Sequence, residues 1–132
     1  VNIRYTSNWL SNIQNSFMKE FDLTMPQFNV LRILRGAKQA LNVQTIKDRM
    51  VEKSPNSTRL LDKLEAKSFI LRCNDSEDKR AIMVSITKDG LAVLNKIDEE
   101  LKEKDFFNVS LSDKEAELLS NLLDKLRLGS IQ

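Results

Sequence analysis

No histidine occurs anywhere in these 132 residues, and cysteine occurs once. The first absence removes the side chain most used for general acid–base work near neutral pH. With a single Cys73 beside it, no ligand set for a structural zinc can be assembled either. One cysteine also excludes an internal disulfide, which fits a reducing, cytoplasmic setting. Only three glycines are present, at 36, 90 and 129, so no glycine-rich loop cradles a phosphate. No apolar run approaches the ~18 residues of a membrane span, and the N-terminus lacks a charged-then-apolar signal pattern. Val1 in place of an initiator methionine leads us to expect a few residues upstream. The carboxylates fall on solvated helix faces without a spacing that demands catalysis. An enzyme is therefore disfavoured, and no metal, cofactor or membrane partner is expected.

What the chain does have is charge and aliphatic side chains. Hydrophobic residues make up 41% and charged residues 30%, enough for one ordinary domain, or two small lobes sharing a core, to fold without staples. The net charge of +2 says little about partners, but its distribution says more. Residues 1–41 hold five basic and two acidic side chains, and residues 42–97 hold eleven and eight; residues 98–132 reverse the balance, with five and nine. The acidic last part is a poor surface for phosphates, so a nucleic acid would meet the middle.

Hydrophobic spacing predicts mostly helix. Ile3, Trp9, Leu10, Ile13, Phe17 and Phe21 fall on one side of an amphipathic helix over 2–21. Thr24 with Gln27 three residues on forms a capping box, opening a second helix over about 25–37 through Phe28, Leu31 and Leu34 to Gly36. Asn42 can cap a short third helix that turns Val43, Ile46 and Met50 inward. After residue 87, Thr87 caps a helix carrying Leu91, Leu94, Ile97 and Leu101. Ser112 with Glu115 then opens a last helix bearing Leu118, Leu119, Leu122, Leu123 and Leu126. That leucine stripe is wider than a small terminal helix needs for one partner, and a second copy of the chain is the natural place to bury it.

The stretch 54–87 organises the rest. Ser54 suits an N-cap and Pro55 the first helical position. At about 100° per residue, Leu60, Leu61 and Leu64 share a stripe centred near Ser57. Pro55, Thr58, Arg59, Asp62 and Lys63 point away from it, with Asn56 on the flank. Phe69–Leu71 and Ile82–Ile86 are β-prone runs joined by a polar segment, hence a hairpin with a charged tip. A short helix, a second helix with a polar outer face, and a hairpin make a winged helix-turn-helix. In that geometry the second helix enters the major groove. Arg59 can fork onto guanine and Asn56 onto adenine, while Lys63, one turn on, is better placed for a phosphate.

The hairpin tip ends in DKRAIMVSIT, residues 78–87, followed by KDG. This resembles the wing signature of the MarR family of bacterial transcriptional regulators: an Asp-x-Arg, here Asp78 and Arg80, on a strand closing with an aliphatic residue and Thr, here Ile86 and Thr87. The preceding STRLLDKLEAKSFILR is similar to that family's recognition helix and first wing strand. The family usually has Gly where this chain has Ser68. A serine there at positive φ costs roughly 1 kcal/mol relative to Gly, unless the helix ends differently.

The resemblance implies a mainly α fold with a small β-hairpin, six helices and a two-strand wing. A winged helix-turn-helix lobe over 24–90 and a helical dimerisation lobe over 1–23 and 91–132 would make one domain. It implies a homodimeric regulator, a repressor, bound to a pseudo-palindromic operator in double-stranded DNA. Arg80 would enter the minor groove with Asp78 orienting its guanidinium, and Lys79 and Arg72 would add phosphate contacts. Tyr5, Trp9 and Phe17 are core or dimer-packing aromatics, or they line a family-type pocket for a small aromatic effector. Cys73 reads as a small packing residue on a wing strand; relatives that sense oxidants place their thiol near the first helix. The competing reading is a winged helix kept as a protein-interaction module that does not touch DNA, which an acidic or apolar outer face on the 55–63 helix would favour.

Overall fold

The computed structural model describes residues 1–50, 56–74, 77, 81–103 and 110–129. Six helices lie among them. α1 (Asn2–Lys19) ends two residues earlier than its periodicity suggests, because the chain turns through Asp22 at φ 55°. α2 (Met25–Ala37) opens on the expected box: the Gln27 N–H donates to the Thr24 hydroxyl (3.3 Å) and the Thr24 N–H donates to Gln27 Oε1 (3.1 Å). It closes on Lys38 in the left-handed region, φ 57°, whereas Gly36 sits within the helix. α2 packs against α1, α3, α4 and the sheet, and its Val30, Leu31 and Leu34 are wholly buried.

α3 (Val43–Arg49) is capped by Asn42, whose Oδ1 accepts the Thr45 N–H at 2.8 Å. α4 (Ser57–Ala66) begins later than Ser54 and Pro55 suggest. Asn56, at φ −110° and ψ 47°, is not helical; Ser54 and Pro55 lie outside the described residues. At its other end α4 closes in a Schellman turn, with the Phe69 N–H donating to the Leu64 carbonyl (3.0 Å) and the Ser68 N–H to that of Glu65 (2.9 Å). Ser68 adopts φ 64°, so the chain carries a left-handed serine where glycine would be unstrained.

The wing strands β2 (Ile70–Asn74) and β3 (Ile82–Ile86) pair antiparallel, with Ile70 opposite Ile86 and Arg72 opposite Val84. A third strand, β1 (Leu41–Asn42), adds to the other edge of β3 and gives the order β1-β3-β2. The inner face supplies Leu41, Ile70 and Val84 to the core. α5 (Lys88–Glu103) follows directly, burying Leu94 and Ile97.

Residues Val1–Ile97 form one compact unit and Asp98–Gln132 a second. The second contains the end of α5 and α6 (Asp113–Leu128), whose N-terminus has the expected box between Ser112 and Glu115 at 3.2 and 3.0 Å. No residue of α6 is buried. No described helix is long and apolar enough to cross a membrane.

Candidate nucleic-acid interface

α4 divides its side chains as its periodicity predicts. Ser57, Leu61 and Leu64 are buried, whereas Asn56, Thr58, Arg59, Asp62 and Lys63 are exposed. The three buried positions anchor the helix on the core, so the exposed ones stand on a fixed support. Among the described residues neither Arg59 nor Lys63 enters an ion pair, and both charges face solvent.

Arg72, expected at a phosphate, is engaged by two acids of α4. On β2, its guanidinium lies 2.7 Å from Asp62 and makes two hydrogen bonds to Glu65, at 3.1 and 3.2 Å, while its backbone N–H donates to the same Glu65 carboxylate at 3.1 Å. The arrangement has a simple cause. Arg72 shares a side of β2 with buried Ile70, and that side faces α4, where two acids stand one turn apart. These bonds hold the Glu65 carboxyl below its ordinary value of 4.5, against partial desolvation that pushes it up. Donating hydrogen bonds to Glu65, then to Asp62, pushes the Arg72 guanidinium further up. Asp62 and Glu65 were not singled out from the sequence as partners of Arg72. Two acids at i, i+3 on one helix and a lone arginine on the next strand were the available signal.

Between α3, α4 and the wing lies an open groove of about 470 Å³, whose lining includes Gln44, Lys47, Thr58, Arg72 and Ile82. Gln44 and Lys47 are polar side chains of α3 that the sequence reading passed over. Gln44 is tied to Asp48 by a 2.9 Å hydrogen bond. The structure thus brings Thr58 of α4 and Arg72 of β2 to one groove. The tip residues Asp78, Lys79 and Arg80 lie outside the described residues, as does Pro55.

The remaining candidates separate. Phe17 is buried and packs its ring 5.4 Å from that of Phe21, whereas Tyr5 and Trp9 are exposed, at 73% and 53%. Phe17 thus differs from Tyr5 and Trp9 in being packed inside the chain. Cys73 is exposed, not packed: strand alternation puts it opposite Met83 on the outer side of the wing, away from Ile70 and Arg72. On α6, Leu118, Leu119, Leu122 and Leu126 are each about half exposed, and Leu123 is only partly covered.

Comparison with known proteins gives a consistent result. The model of the MarR family matches residues 23–82, which span α2 to the start of β3. The HTH-type transcriptional regulator SarZ of Staphylococcus aureus (strain USA300) is 31% identical over 112 residues, covering 85% of this chain and 72% of that protein. Among solved structures, S. aureus MepR in complex with DNA has a TM-score of 0.82 at 27% identity, over 98% of this chain and 95% of that one. A MarR-like transcription regulator from Bacillus cereus ATCC 10987 has a TM-score of 0.83 at 20% identity, over 98% and 94%, which speaks to the fold alone.

Proposed function

This chain belongs to the MarR family, and on that premise we propose that it is a transcription regulator that binds double-stranded DNA sequence-specifically, as a homodimeric repressor on a pseudo-palindromic operator. The observation that carries the reading is the outer face of α4. Arg59, Thr58 and Asn56 stand exposed near the N-terminal end of a helix anchored by Leu61 and Leu64, as a major-groove reader requires. In this reading Asn56, Thr58 and Arg59 meet base edges and Lys63 a phosphate. Pro55 flanks them. The wing tip, with Arg80 in the minor groove, Asp78 orienting it and Lys79 on the backbone, rests on the family signature alone.

The dimer rests on α6. Leaving four leucines about half exposed forgoes burial that favours folding by roughly 1.5–3 kcal/mol for each such side chain fully buried, and a second copy can supply the cover. The helical dimerisation lobe, residues 1–23 and 91–132, would thereby hold two reading lobes, 24–90, at a fixed half-site spacing. A small aromatic effector would meet Tyr5 and Trp9, whose rings are open, and not Phe17, which is already packed on Phe21.

The protein-interaction alternative requires an acidic or apolar face on α4. Asp62 is the one acid on that face, and its charge is turned toward Arg72, so Arg59 and Lys63 dominate the exposed surface. Rounds of selection from a random-sequence duplex pool test the reading. It expects one two-fold-related sequence to be enriched; a protein that enriches none and binds no duplex does not have this function.

A further inference from the structure

The acids of α4 pose an electrostatic problem. On a helix that approaches DNA, Asp62 and Glu65 would repel phosphates, yet Asp62 shares the exposed face with Arg59 and Lys63 and Glu65 stands one turn further on, at the flank of that face. The geometry answers it: both are joined to one guanidinium. Arg72 meets Asp62 through one terminal nitrogen and Glu65 through Nε and the other, a forked pair to Glu65 plus a second acid, and the Arg72 backbone N–H adds a bond to Glu65. The Arg72 side chain is 24% exposed, so this contact is screened less than a free surface pair.

α4 and β2 pack against each other and are covalently joined through the Schellman turn at Ser68, a turn that by itself would leave one hinge between them. The clamp adds a second attachment, from residues 62 and 65 on the helix to residue 72 on the strand. Two points of attachment fix an angle where one does not. We propose that Asp62, Glu65 and Arg72 form a strut that sets the wing's angle to the recognition helix, making them positioning residues for sequence discrimination and Arg72 not a phosphate contact. The inference rests on the DNA-binding reading above.

The two roles open to Arg72 predict opposite signs. If Arg72 served a phosphate, Asp62→Asn would release it and remove a repelling charge, and all DNA would bind more tightly. As a strut, the same change leaves random duplex bound as well or better, yet loosens the selected duplex. The ratio of the two affinities falls about fivefold, the scale of a partly exposed ion pair. Asp62→Glu, which restores the carboxylate, should recover most of that ratio. Arg72→Gln provides a second reading: a strut leaves the slope of log K against log salt unchanged, whereas loss of a phosphate contact lowers it by about 1 per subunit.

The experiment titrates wild type, Asp62→Asn, Asp62→Glu and Arg72→Gln with the duplex selected by the wild type and with a scrambled one, over a range of salt. Asp62 is exposed, so its variants should keep the fold even if Arg72→Gln does not. A lower ratio in Asp62→Asn, recovered in Asp62→Glu, supports the strut. Equal tightening on both duplexes, or a lower slope in Arg72→Gln, overturns it. A wild type that prefers no duplex overturns the function itself, an outcome distinct from a selective wild type whose ratio the Asp62 variants leave untouched, which overturns the strut alone.

Discussion

The Thr87 hydroxyl donates to the Ser68 carbonyl at 2.6 Å and accepts the Gly90 N–H at 3.0 Å. One side chain thus closes the turn that ends α4 and caps α5, the helix that follows the wing strands. The Thr87 N–H, donating to the Phe69 carbonyl at 3.0 Å, adds a third tie to the same joint.

Of three substitutions at this joint, two should destabilise the fold and one should stabilise it. Thr87→Val removes both hydroxyl bonds and should destabilise by about 1–3 kcal/mol. Gly90→Ala should do at least as much harm, because a Cβ there would lie 2.5 Å from the Phe69 carbonyl oxygen and 2.7 Å from Ile86 Cγ1. Ser68→Gly should stabilise by up to about 1 kcal/mol, since it relieves a left-handed serine at φ 64°. Urea unfolding midpoints measure all three.

Leu119→Asp combined with Leu122→Asp should give monomers that lose operator binding, because two charges on the half-exposed stripe of α6 forbid its burial against a second copy. Sedimentation velocity reads the outcome directly. A wild type that is monomeric at micromolar concentration contradicts the dimer.

On the reading face, Arg59 and Lys63 should separate by behaviour. Arg59→Ala should weaken the selected duplex by roughly 1–3 kcal/mol per subunit and relax preference at one base pair in each half-site. Lys63→Ala should weaken all sequences alike and reduce the salt slope by about 1 per subunit. Titrations on selected and scrambled duplexes distinguish the two patterns.

Acid should destabilise the fold in a defined window. The Arg72 guanidinium holds Glu65 below its ordinary value of 4.5, and the Ser112 N–H does the same for Glu115. A carboxyl with a lowered folded value adds stability that is complete above its unfolded value and is lost as pH falls through the folded one. The thermal midpoint should therefore hold from neutral pH to about 5 and decline below about 4.5, less steeply in Glu65→Gln. With no histidine in the chain, affinity for DNA should stay flat between about pH 6 and 7.5.

What could be read in advance was local. The caps at Thr24, Asn42 and Ser112 involve partners within three residues, and the α4 face follows from a 3.6-residue period, so both were legible. β1 was not: two residues have no period, and Leu41 finds Val84 only after the chain has folded back across α3 and α4. The Arg72 clamp was half legible, since the charges are visible in sequence, but which side of β2 meets α4 depends on strand register. The same register decides Cys73, which lies on the outer side because Arg72 lies on the inner.

The most direct test of the account is a competition titration of the wild-type protein with the duplex it selects against a scrambled duplex of the same length and composition, near physiological salt. Sequence-specific recognition predicts that the selected duplex binds at least about 10³-fold more tightly. Equal affinity for the two would contradict it.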